Sequence, residues 1–163
     1  MENDNKQQDI IKMFNEIAKT YDIANRVLSM GIDKTWRRAA CNLSFKLYGK
    51  EKLDKIVDVA CGTGDLMIDW DNIGKQNGIE INDIIGIDPS VGMMEVGKTK
   101  IPNRTFIEAG AEKLPLEDES VDFISISYGI RNVVQREEGL KEFARVLKKG
   151  GLAVILEFTR NDK

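Results

Sequence analysis

A chain of 163 residues, 42% hydrophobic and 31% charged, has the composition of one soluble domain able to bury a core. Its net charge of −3 and lack of a basic face argue against nucleic acid, and no apolar run approaches the ~20 residues of a membrane span. The chain contains no histidine, which leaves proton transfer to a carboxylate, Tyr, Lys, Cys or water.

The polar residues 1–8 read as a frayed terminus without a signal peptide. From Asp9, a plausible N-cap, apolar residues at Ile10, Met13, Phe14, Ile17, Ala18 and Tyr21 mark a helical stripe. A second helix follows Asp33, carries Trp36, Ala40, Leu43 and Leu47, and stops at Gly49; its "KTWRR" run reads as a solvated face. Then β-rich runs appear at 55–60, 83–88, 105–109, 121–127 and 152–158, with helical stretches between most of them. The clearest of these helices spans 136–149, with Leu140, Phe143, Ala144 and Leu147 on one face and Gly150-Gly151 as its stop. Apolar strands alternating with helices predict an α/β, doubly wound parallel sheet. Cys41 and Cys61 lie far apart without a CxxC, which argues for a reducing compartment and against a disulfide framework or a zinc site.

In such sheets ligands bind beyond the carboxyl ends of the strands, where strand order reverses. Gly62 and Gly64 of "VDVACGTGDL" end the first strand and give the backbone freedom to lie against a ligand, although a plain turn is the better explanation of a lone GxG. Asp88 of "GIDPS" ends the second strand, where an acid can accept from both ribose hydroxyls of a nucleoside. A third glycine, which a dinucleotide site wants, is replaced by Met67, and there is no GK[ST]. A nucleoside cofactor without a pyrophosphate fits best.

"MFNEIAKTYDIANRVLSMGIDKTWRR", "DVACGTGDL", "GIDPSVGMMEVGK", "AEKLPLEDESVDFISISYGIRNV" and "ARVLKKGGLAVILEF" resemble, in order, the UbiE/MenG family of C-methyltransferases. The resemblance runs from about Met13 to Phe158, and "YGIRNV" with the amino-terminal "YD…N..LS.GID..WR" pattern is what singles out this family. It implies S-adenosylmethionine as cofactor and the Rossmann-like fold of class I S-adenosylmethionine-dependent methyltransferases. Residues 1–50 would form a helical lid and 51–163 the cofactor-binding core of a single domain. Gly62 and Thr63 would lie along the methionine part, Asp88 would hold the ribose diol, Gly110 and Ala111 would meet the adenine, and Ser127 would line the floor. Gly110 departs from the pattern, since related enzymes often place Asp or Asn there to accept from the adenine amino group. Only five strands are visible where seven are usual, so the resemblance also implies a missing carboxyl-terminal part and an exposed fifth strand open to dimerisation.

The implied reaction is C-methylation of a polyprenyl quinol ring in menaquinone or ubiquinone biosynthesis, with demethylmenaquinol favoured. Tyr21, Asp22, Arg131 and Asn132 are the candidates for proton removal and oxyanion stabilisation, with Tyr21 as easily a core residue. Arg131 suits the developing oxyanion better than the role of base. A long isoprenoid tail implies a cytoplasmic protein with transient contact at the membrane, the amino-terminal helices offering a lid and a route for the tail. Two alternatives stand: a methyltransferase for another small molecule, and a cofactor-binding module without catalysis.

Overall fold

The β-rich runs become five strands because each is apolar on both faces and requires cover on both. The computed structural model describes residues 2–158. Two helices, α1 (Glu2–Leu28) and α2 (Ile32–Tyr48), precede β1 (Lys52–Val59), α3 (Asp65–Gln76), β2 (Glu80–Asp88), α4 (Val91–Lys100) and β3 (Thr105–Glu108). Then come β4 (Val121–Ser127), a 3-10 turn (Ile130–Asn132), α5 (Arg136–Val146) and β5 (Leu147–Leu156). All strand pairs are parallel, in the order β3-β2-β1-β4-β5, so strand order reverses between β1 and β4. The doubly wound sheet expected from the strand–helix alternation is thus the observed architecture.

Two cores cover the sheet. On one face Phe45 of α2 and Met67, Trp70 and Ile73 of α3 pack with Ile56, Ile84 and Phe123. On the other, Phe143 and Val146 of α5 pack with Val57, Ile124 and Ile126. Trp70 meets Phe45 and Phe123 at centroid separations of 5.4 and 5.6 Å, the spacing at which aromatic pairs gain beyond their buried area.

Several boundaries and faces differ from the sequence reading, β1 and β2 each beginning three residues earlier than expected. The first helix starts at Glu2, not Asp9, so residues 2–8 are helical and Asp9 is an interior residue, not a cap. Gln and Lys are good helix formers, and Gln7 Oε1 accepts the Val134 N–H at 3.1 Å, which ties that first stretch to the body. The second helix turns a different face inward: Arg37, Cys41, Ser44 and Phe45 are buried, while Trp36 and Leu43 are exposed and Leu47 is 67% exposed. Arg37 is therefore not part of a solvated face; at 6% exposure it is held by Asp33, Asp65 and Asp69 at 2.7, 3.3 and 2.9 Å. Helix α5 ends at Val146, and its buried face is Gly139, Phe143 and Val146, with Leu140 exposed. Leu147 belongs to β5, paired with Val121, and a register irregularity carries the chain past Gly150 before Leu152 pairs with Phe123. Gly150 at φ 79 supports that irregularity because only glycine adopts such a φ without strain.

Candidate functional site

The carboxyl ends of β1 to β4 surround a cavity of about 500 Å³, roofed on one side by α1. Its floor is a turn forced by the local sequence. Gly62 and Gly64 take φ 54 and 81, and Gly64 N–H donates to Cys61 O at 2.9 Å, so the chain reverses into α3 within three residues. A Cβ on Gly62 would approach Met93 Cε at 3.1 Å, which limits the position sterically as well as conformationally. Met67, at the place of a third glycine, is buried in the core beneath β2.

Asp88 fixes this loop from the neighbouring strand. Its Oδ2 accepts the Gly62 N–H at 2.8 Å and its Oδ1 the Ser90 N–H at 2.7 Å, the second bond being the local Asx turn before α4. Ser90 then caps α4 by accepting the Met93 N–H. Burial to 7% exposure pushes the Asp88 carboxyl above its ordinary value, against the pull of the two backbone bonds. Each oxygen retains a lone pair, so the side chain can accept further hydrogen bonds from a ligand in the cavity it borders.

Gly62, Asp88, Gly110, Ala111 and Ser127 all border this cavity. Thr63 does not: it is 3% exposed, and its hydroxyl donates to Asp22 Oδ1 at 2.5 Å on the α1 side of the loop. Lys100 completes that cluster, with Nζ 2.8 Å from Asp22 Oδ2 and 3.1 Å from Thr63 Oγ1. Asn15 adds a second tie, its Oδ1 accepting from Ser90 Oγ and Gly92 N–H, both at 2.8 Å. Helix α1 is thereby fastened to the two loops that follow β1 and β2. Of the two amino-terminal helices only α1 borders the cavity, whereas α2 packs on α3 and β5.

The catalytic candidates divide. Tyr21 and Asn132 border the cavity, the Tyr21 ring edge-on to Phe14 at 5.9 Å. Arg131 points elsewhere: its guanidinium pairs with Glu157 and lies 5.7 Å from the centre of the Phe158 ring.

Two residues that the sequence reading passed over belong to the same region. Asp58, 2% exposed near the end of β1, accepts from Ser125 Oγ at 2.8 Å, and Ser125 accepts from Trp70 Nε1 at 3.1 Å. Burial, with a smaller contribution from nearby Asp88, pushes its carboxyl up to about 7, partly offset by the Ser125 bond. Its signal was an acid inside the otherwise apolar "KIVDVA". Tyr128 follows β4 at φ 56, a conformation uncommon for a side-chain-bearing residue, with its ring stacked on Phe158 at 4.7 Å.

Residues 2–163 match the ubiE/COQ5 methyltransferase family. The chain is 57% identical over 97% of its length to the Campylobacter jejuni ubiquinone/menaquinone biosynthesis C-methyltransferase UbiE, of which it covers 67%. It is 43% identical over 91% of its length to the demethylmenaquinone methyltransferase of Chlorobaculum tepidum, of which it covers 59%. The chain thus spans about two thirds or less of the length of these curated relatives. Among solved structures, DesVI of Streptomyces venezuelae superposes with a TM-score of 0.70 at 19% identity, over 90% of this chain and 59% of that one. YcgJ of Bacillus subtilis does so at 0.64 and 23%, over 76% and 53%. These two share the fold, while family membership rests on the sequence matches. With the glycine loop, the Asp88 clamp and the strand-end cavity all in their expected order along the chain, the protein belongs to the ubiE/COQ5 methyltransferase family.

Proposed function

We propose that this chain binds S-adenosylmethionine at the carboxyl ends of β1 to β4 and methylates a ring carbon of a polyprenyl quinol, with demethylmenaquinol favoured over a benzoquinol. The observation that carries this reading is Asp88, a buried carboxylate with acceptor capacity left over, bordering the cavity beside a glycine loop. The residues present fit the cofactor. The Gly62 backbone and Asp88 suit a methionyl chain and a ribose diol, Ser127 suits the floor, and the side-chain-free wall at Gly110 and Ala111 suits a flat purine. Thr63 acts through the loop backbone, which its bond to Asp22 braces. When bound, the cofactor supplies a methyl group on a sulfonium, open to in-line displacement by a carbon nucleophile.

Loss of the quinol hydroxyl proton raises electron density at the neighbouring ring carbon. Positioning of the acceptor supplies much of the acceleration, and a placed base adds about 10²–10⁴-fold. Asn132 orients the hydroxyl or a water, and Tyr21, which also borders the cavity, relays the proton. Arg131 would stabilise the oxyanion only after leaving Glu157 and turning toward the cavity, which it does not border. A cofactor-binding module without transfer is the second reading, favoured by that same pairing, because a neutralised guanidinium has less field to offer. Under it, S-adenosylmethionine binds without methyl transfer, and Arg131→Ala leaves that binding unaffected.

The acceptor's tail brings a cytoplasmic protein to the membrane surface. Among the described residues no helix is long and apolar enough to cross a membrane. The corner between α1 and α2 nevertheless exposes Ile23, Val27, Leu28 and Met30, with Leu28 83% exposed, beside the exposed cations Arg26, Lys34 and Arg38. Flotation with anionic liposomes should weaken for Leu28→Ser with Met30→Ser; equal recovery removes membrane contact from the proposal.

Calorimetry with S-adenosylmethionine tests the central claim. Wild type should bind and Asp88→Ala should bind at least about tenfold more weakly, the loss of one charged acceptor. Absence of wild-type binding overturns it. Transfer of labelled methyl to demethylmenaquinol against a polyprenyl benzoquinol then decides the acceptor.

A further inference from the structure

Resting on the cofactor reading above, we propose that Glu112 supplies the acceptor for the purine 6-amino group, in place of a side chain at residue 110. Residue 110 is glycine, so the cavity wall just past β3 has no side chain at the point that faces the ligand. That space is filled from two residues downstream. The carboxylate of Glu112 crowds the point where a Cβ on Gly110 would be, its Cδ 2.6 Å from that point. Any side chain at 110 and the present position of Glu112 are mutually exclusive.

The local backbone accounts for this placement. Lys113 N–H donates to Gly110 O at 3.4 Å, closing a four-residue turn that folds Glu112 back over its first residue. Ala111 is buried against Gly139 of α5, where a Cβ would stand 3.4 Å from the Ala111 methyl. Leu114 N–H is anchored to Glu142 Oε2 at 2.8 Å. With its neighbours fixed on both sides, Glu112 borders the cavity, and no hydrogen bond or ion pair engages it among the described residues. A carboxylate offers only acceptors, so at this wall it selects a ligand edge that donates. The adenine amino group donates two hydrogens; a purine with hydrogen in its place donates none and leaves the carboxylate unpaired. Glu108, paired with Asp88 across the β2–β3 ladder, also borders the cavity and is the competing acceptor.

Equilibrium binding of S-adenosylhomocysteine, and of its analogue with hydrogen replacing the 6-amino group, tests the assignment on the full chain. Wild type should prefer the amino compound by about 10–100-fold, the range expected when a polar group is left without its partner. Glu112→Ala should shrink that ratio to about threefold or less, binding the 6-hydrogen compound at least as tightly as wild type does because no carboxylate is left unpaired. Glu112→Gln, which keeps a neutral acceptor and nearly the same shape, should fall between. Gly110→Asn combined with Glu112→Ala should restore the preference by returning an acceptor to the vacated space. An unchanged ratio in Glu112→Ala and Glu112→Gln overturns the proposal, as does a ratio lost in Glu108→Gln while Glu112 is intact. Equal binding of both compounds by wild type overturns this proposal alone. Binding of neither overturns the cofactor reading with it.

Discussion

Buried charge is handled in two different ways around the glycine loop. Arg37, on the α2 side, is surrounded by the carboxylates of Asp33, Asp65 and Asp69 at 2.7 to 3.3 Å. Lys100 extends the network, its Nζ 2.5 Å from Asp65 Oδ1. Burial works against the ionised form of Asp33, but bonds from Ser29 and Arg37 outweigh it and hold the carboxyl below its usual value. Asp88, which borders the cavity, and Asp58, joined through Ser125 to Trp70 of α3, are as deeply buried and have no ion pair among the described residues. One accepts from a serine hydroxyl and the other from two backbone N–H groups, and burial pushes both carboxyls up. The matched cluster joins α2, α3 and α4 and serves the scaffold. Of the unmatched carboxylates only Asp88 borders the cavity, where hydrogen-bonding capacity remains for something other than protein.

Breaking the matched side should have the largest effect. Arg37→Met leaves three carboxylates facing one another in a buried site and should cost about 3–5 kcal/mol, read as a lower denaturant midpoint at unchanged slope. A loss below ~1 kcal/mol would mean that the cluster is solvated and that the contrast with Asp58 is false.

The unmatched side predicts a pH dependence of opposite sign to the usual carboxylate. Folded Asp58 holds its proton up to about 7, against 3.8 for the ordinary group. The folded state therefore loses stability as pH rises between those two values, and loses no more above them. Asp58→Asn should remove this slope and gain about 4 kcal/mol over wild type at pH 8, with the two converging near pH 4. Parallel stability curves for wild type and variant would show that Asp58 ionises without cost. A smaller effect belongs to the tie between the two sides: Lys100→Met should cost about 1 kcal/mol. It should also raise hydrogen exchange in α1 more than in α3, because Lys100 fastens Asp22 to the loop. Uniform exchange across both helices would remove the fastening role.

How far the sequence shows these features follows from where their causes lie. Asp88 was legible because everything that positions it is nearby: a β-rich run before it, Pro89 after it, and Ser90 to cap the next helix. Arg37 was not legible, because the two carboxylates that bury it beside Asp33 come from α3, 28 and 32 residues away. The apolar stripe Trp36, Leu43 and Leu47 was real as a pattern, yet it lines a groove beside β5 instead of the core. The extension of α1 to Glu2 has a similar cause, since its Gln7 is anchored by Val134 from the far end of the chain. At Gly110 the sequence showed a missing acceptor, whereas the filling of that space by Glu112 required the turn geometry.

By itself, then, the sequence determined the parallel sheet, the glycine loop, the acidic residue that clamps it and the resemblance to a methyltransferase family. Runs apolar on both faces admit few structures other than a covered parallel sheet, and the loop chemistry is written in adjacent residues. Only the tertiary structure decided which stripe of α2 turns inward, where α5 gives way to β5, that Thr63 is bound beneath the loop, and that Glu112 fills the space beside Gly110. A period of 3.6 specifies a helix without choosing between overlapping faces. That choice falls to whichever distant groups best satisfy a buried charge or fill a vacant volume, and those groups meet only after the chain has folded.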